Sequence, residues 1–244
     1  MYPRKYRPGL GDPVYKPYDS PMTTPPPLNH IKAAEAALAQ AVAVFVPDLG
    51  LNRLSLRAGA TAAGFNDGEC DLIAPNGADD IAAILWRSHD AVLAAPETAT
   101  ALAVMKIREK IGYLLNLRLD EAARDEHLAR HLMGFFALPH HALLYQRLLW
   151  DTADTIWRLA GDKALDENHY SKRMIVSGIL TTAMMTRLSQ GRDAQMNQIN
   201  RNIQSVMDFE RFKAKLPFKP EEALLNLAGA LGKMRFGTGD RPAA

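Results

Sequence analysis

His127 and His131 stand four residues apart, a spacing that puts two imidazoles on one helix face, where metal ligands sit. The residues between them are Leu128, Ala129 and Arg130. The glutamate of a zinc hydrolase is therefore missing, and a cation stands beside the pair. A solvated helix face accounts for them better. His140 and His141 follow Pro139 and point in different directions, so they receive no chemistry. Asp166-x-x-His169 has the spacing of one half of a carboxylate-bridged di-iron site, but that site needs the motif paired. Cys70 lies among Asp67, Glu69 and Asp71, whose charge raises a thiol pKa and blunts a nucleophile. The chain has no Gly-x-Ser-x-Gly, no phosphate-binding loop and no Gly-x-Gly-x-x-Gly behind a strand. These residues describe no enzyme, and no metal or cofactor is expected.

The elements that carry these residues read as helices throughout. With 244 residues, 48% of them apolar, the chain can bury a proper core. Its net charge of +2 recruits neither nucleic acid nor an anionic surface by a global field. A single cysteine fits a reducing compartment. Residues 1–28 hold eight prolines with Tyr2, Tyr6, Tyr15 and Tyr18 and lack a signal-peptide core, so they read as a disordered or polyproline-like arm. A bacterial cytoplasm is the expected home. Helices are predicted from an Asn29 cap over 30–46, then over 53–63, 68–73, 79–95, 96–117, 120–137, 140–160, 166–190, 193–215 and 220–236. No stretch alternates as a strand does, so the fold is all-α. The expected organisation is an arm over 1–28, a domain over 29–216, and an amphipathic helix and tail over 217–244.

Three segments ask more than the rest. The helix over 166–190 is capped by Asp166, has a Leu165–Tyr170 staple, and turns apolar in nearly every direction from Met174 onward. A helix apolar all round is buried by protein, lipid or ligand, and this one is too short to span a bilayer. It reads as a core helix or as the wall of an apolar cavity, with Ser177 and Gly178 leaving a gap. Residues 29–76, with the turn Gly64-Phe65-Asn66, have the order of a helix-turn-helix similar to the tetracycline-repressor fold. Between Arg57 and Arg87, however, there is no Lys or Arg, and an acidic reading helix repels duplex phosphate. No nucleic acid is expected. The last helix carries a stripe of Leu224, Leu227, Ala228 and Leu231 beside Lys233 and Arg235, and could dock on its own domain or on a membrane interface.

Leu138-Pro139-His140, Asp151 to Trp157, Ala160-Gly161-Asp162, Asp166-x-Asn168-x-Tyr170-x-Lys172-Arg173 and Thr181-Thr182…Met184-Met185 together resemble the ubiquinone-biosynthesis lipid-binding accessory proteins of mitochondria and α-proteobacteria. The resemblance spans roughly 30–236 and is strongest over 138–185. Mitochondrial members carry Trp at the positions of His169 and Met196. The resemblance implies a tetracycline-repressor-like helical bundle with a degenerate helix-turn-helix head, a homodimer, and a non-catalytic role. It implies a pocket for an isoprenoid quinone or phospholipid, with Leu149, Ile156, Ile175, Gly178, Ile179, Leu180 and Met184 as its expected lining. The implied partner is the di-iron demethoxyubiquinone hydroxylase, met by Trp157, His169, Tyr170, Lys172 and Arg173. On residue types alone those charges read as solvated; the resemblance reverses that order. It also makes Leu224, Leu227, Leu231, Lys233 and Arg235 a peripheral contact with the inner membrane. The reading from another class is a ligand-sensing transcriptional regulator.

Overall fold

A computed structural model of the protein describes the backbone of residues 28–162 and 167–215, with side chains over 30–162 and 170–206. Within these residues the chain is all-α, with no strand: α1 Leu28–Leu49, α2 Arg53–Ala62, α3 Asp67–Ile73, α4 Ala78–Asp90, α5 Pro96–Leu102, α6 Ile107–Ala122, α7 Glu126–Phe136, α8 Ala142–Ala160, α9 Glu167–Gln190 and α10 Arg192–Lys215. Short 3-10 turns at Ala91–Ala94 and Pro139–His141 precede α5 and α8.

The caps explain most of the boundaries. Asn52 Oδ1 accepts from Leu54 N at 2.7 Å, and Asn66 and Glu69 close a reciprocal capping box at 2.9 Å on each side. Four residues join α2 to α3. Two expected helices are each broken. The one predicted over 96–117 stops at Leu102 and restarts at Ile107, where the Glu109 carboxylate accepts from Lys106 N at 2.9 Å. The one predicted over 120–137 gives way to the end of α6 and a fresh start where Asp125 accepts from Leu128 N at 2.9 Å. Side-chain caps set the new start at both places. The first helix also differs, because Leu28 is already helical and Pro47 sits inside the last turn.

Packing starts from α1, which buries Leu38, Ala39, Val42 and Val46. Gly59 lets α2 approach: a Cβ there would sit 2.6 Å from Val42. A buried polar knot then ties α4, α6 and α8. Arg118 donates to Asp90 at 2.7 Å and to the Trp86 carbonyl at 3.1 Å, with its guanidinium 4.3 Å over the Trp86 ring. Trp86 Nε1 donates to Thr152 at 2.9 Å. Burial pushes the Asp90 carboxyl up, against the pull of Arg118. At the start of α8, His141 stacks on Phe135 and lies 2.9 Å from Asp79. Gly161 ends α8 in the left-handed conformation, φ 98°, as expected for a residue just past a helix C-terminus.

Candidate lipid groove

The apolar periodicity of α9 divides it into two faces. Val176, Ile179, Leu180, Ala183 and Met184 point into the protein, while Met174 and Met185 are exposed among the described residues. The described residues therefore enclose the helix on one side only. Where α9 meets α6, α8 and α10, the side chains do not fill the space. They leave a groove of about 310 Å³ walled by Ile107 and Ile111 of α6, Trp157 of α8, Ile175, Val176 and Ile179 of α9, and Ile203 and Val206 of α10. Among the described residues Arg108 is the one charged residue on it. Ile107 and Ile175 are partly exposed and form its rim. A volume of this size falls at the low end of small-molecule sites, about 300–1,000 Å³. The walls offer hydrocarbon almost alone, so the occupant they suit is an apolar chain.

Beside the groove a polar clamp fixes α8 against α9. Trp157 Nε1 donates to the Lys172 carbonyl at 2.9 Å, and Lys172 Nζ reaches Asp162 at 2.7 Å while lying 5.2 Å from the Trp157 ring. Arg173 is 2% exposed and donates to Asp154 at 2.6 Å and to Asp162 at 3.4 Å. Burial raises the Asp154 pKa, but hydrogen bonds from Arg173 and Arg158 outweigh it and hold the carboxyl below its ordinary value. The clamp thus sets the groove wall that Trp157 provides.

The expected lining divides accordingly. Ile175 and Ile179 stand on the groove. Leu149 and Ile156 are packed into the core, and Leu180 and Met184 border a separate void of about 20 Å³, room for about one water. That void also meets His89, whose pKa burial and then the charge of Arg118 lower to about 4. Gly178 is not a gap in a pocket: a Cβ there would meet nothing within 4 Å, because it lies on the outer face. The groove residues passed over were Ile107, Arg108, Ile111, Val176, Ile203 and Val206, and Trp157 was expected at the partner surface instead. Ile199, Ile203 and Val206 repeat at helical spacing inside an otherwise mostly polar helix, and that stripe was the available signal.

Of the residues expected at a partner surface, Tyr170 is 61% exposed, with its ring 5.8 Å from that of Trp150, and its neighbour Met174 is 68% exposed. Trp157, Lys172 and Arg173 belong to the clamp. Arg173, expected at the partner surface, is buried instead, because its two carboxylates draw it inward. The side chain of His169, the Asp166 cap, the Leu165 half of the staple, and Leu224, Leu227, Leu231, Lys233 and Arg235 lie outside the described residues. His131 Nδ1 lies 2.9 Å from the His127 carbonyl on an exposed face. Cys70 is buried, and burial followed by Asp71 and Asp67 raises its thiol pKa.

The groove and its clamp fall largely within one recognisable segment. Residues 144–210 match the COQ9 family. The COQ9 match covers almost all of α8, all of α9 and most of α10, three of the four helices that wall the groove; α6 stands outside it. It supports a role in ubiquinone biosynthesis, as the resemblance in the sequence implied. No curated protein matches the chain. Among the described residues no helix is long and apolar enough to cross a membrane.

Proposed function

We propose that the protein is a non-catalytic lipid-binding accessory protein that holds an isoprenoid quinone intermediate for the di-iron demethoxyubiquinone hydroxylase. The observation that carries this reading is the groove between α6, α8, α9 and α10, apolar but for Arg108 and walled on three of its four sides by the family-matched segment. Each CH₂ buried from water is worth about 0.8 kcal/mol, so a tail leaves the bilayer at little net cost only if it meets an equally apolar wall. The groove accepts part of such a tail, with the remainder passing over the rim at Ile107 and Ile175. The outer face at Tyr170 and Met174, beside His169, is then the surface offered to the hydroxylase. Aromatic residues are enriched at interface hot spots, and methionine repacks readily. Arg173→Glu is a poor probe of that contact, since it sets a buried negative charge against Asp154 and Asp162. Tyr170→Ala and Met174→Glu test it on a folded protein.

In the same reading the last helix, with Leu224, Leu227, Leu231, Lys233 and Arg235, rests on the inner membrane from the cytoplasmic side, and the protein works as a homodimer. The head over 29–76 is a helix-turn-helix relic that takes no nucleic acid, being acidic where a DNA reader is basic. Mass spectrometry of lipid extracted from the purified native protein tests the central claim. An isoprenoid quinone precursor or phospholipid in near-stoichiometric amount is expected. Repeated extraction with no lipid overturns it.

A further inference from the structure

The head carries a second groove that the lipid reading leaves unused. It lies between the first turns of α1 and helix α3, with a volume of about 380 Å³. Ile31, Phe65, Leu72 and Ile73 supply its apolar surface, and Glu35 and Glu69 its charge. Leu72 is 83% exposed, an unusual position for leucine on a helix that already buries Cys70. Asp67 and Asp71 extend the acidic surface along α3, and no Lys or Arg occurs between Arg57 and Arg87. The wall begins at His30, within one turn of the place where residues 1–27 join α1.

Those 27 residues have the complementary chemistry. They carry Arg4, Lys5, Arg7 and Lys16 against Asp12 and Asp19, four positive charges to two negative, together with eight prolines and four tyrosines. We propose that residues 1–27 dock in cis in the α1–α3 groove, with Tyr15, Tyr18 and their neighbouring prolines on Leu72 and Phe65 and with Lys16 facing Glu35 and Glu69. Reach is sufficient. Lys16 lies twelve positions before Leu28, and at about 3.1 Å per residue an extended chain covers roughly 37 Å, enough to turn back along two turns of helix. Proline restricts the free ensemble, so docking orders less, and apolar-aromatic grooves recognise such segments by this means. Tethering at residue 28 sets an effective concentration in the millimolar range, which favours the chain's own arm over a free partner. Docking covers the exposed leucine and offsets the acidic face of α3.

Zero-length carbodiimide coupling on the full chain tests the contact, using an equal mixture of ¹⁴N- and ¹⁵N-labelled protein. Lys5 or Lys16 is expected to link to Glu35, Glu69, Asp67 or Asp71 within one copy. The yield should fall several-fold in high salt and in Leu72→Arg, an exposed position whose variant is checked by thermal melting. Links that join labelled to unlabelled copies, or that fall away from α1 and α3, overturn the proposal. Hydrogen exchange provides a second reading. Replacing Arg4, Lys5, Arg7 and Lys16 together with glutamate should speed exchange across α3, and unchanged exchange overturns the docking. Neither readout depends on whether the other groove holds lipid.

Discussion

The two grooves are of similar size, about 310 Å³ in the body and about 380 Å³ in the head, yet they suit different occupants. The body groove has walls from four helices and one charged residue. Its selectivity rests on area removed from water, which is indifferent to sequence and suits a repetitive hydrocarbon chain. The head groove has two glutamates beside its apolar surface and more carboxylates along α3. It therefore favours an occupant that pairs cations with apolar groups, as a basic, tyrosine- and proline-containing segment does. Volume does not separate the two sites; the placement of charge does.

The two regions are also held by different means. The body groove depends on the Arg173 clamp, whereas the head depends on caps and on the Gly59 contact. Arg173→Ala should therefore leave Asp154 to Arg158 and Asp162 to Lys172 and cost about 3 kcal/mol, the low end for breaking a buried pair because each carboxylate keeps one cation. Chemical denaturation reads the loss, and bound lipid should disappear with it. A melting temperature near that of the native protein would show that the clamp does not hold the wall.

Acid should weaken the body in two steps. His89, lowered from 6.5 to about 4, contributes stability that is full above pH 6.5 and is lost as pH falls toward 4. The loss amounts to at most about 3 kcal/mol, at about 1.4 kcal/mol per pH unit. Asp154, held below its ordinary 3.8, contributes stability that is lost only below about pH 4. His89→Gln should flatten the first step and leave the second. Denaturation midpoints at pH 7, 5 and 4 decide this, and an unchanged slope between pH 6.5 and 4 in the variant would count against His89.

A smaller effect separates the grooves directly. Ile175 is 37% exposed on the rim of the body groove, so Ile175→Glu should fold and yet put charge where the tail passes. About a tenfold loss of lipid affinity is expected, equivalent to about 1.4 kcal/mol. Leu72→Arg should leave lipid content untouched. Equal effects of the two changes would erase the distinction drawn between the sites. The smallest change expected is at Gly178: Gly178→Ala should stabilise α9 by about 0.5–1 kcal/mol without altering lipid content, because its Cβ meets open space. A fall in lipid content would return Gly178 to the pocket.

Much of this was legible along the chain. The all-α class, the α8 stop at Gly161 and the acidity of α3 follow from residues near in sequence. Local hydrogen bonds and charge runs need no distant partner. Two helix breaks were missed because no Gly or Pro marks 103–106 or 123–125, while the carboxylates that start the next helix, Glu109 and Asp125, act from a single position each.

The site itself was less legible, for a different reason. Periodicity marked α9 as rich in apolar residues, but the side that its neighbours cover is a property of the assembled bundle. Only the tertiary structure sent Leu180 and Met184 into the core, turned Gly178 outward, and brought Ile203 of a mostly polar helix to face Ile111. Arg173 makes the same point through charge. Its type and place near a helix start describe a solvated cation, until Asp154, nineteen residues away, and Asp162 arrive to draw it inside. The sequence alone determined the all-α class, most of the helices and the chemistry each carries. The tertiary structure decided which of those residues enclose a space, because burial depends on partners distant in the chain.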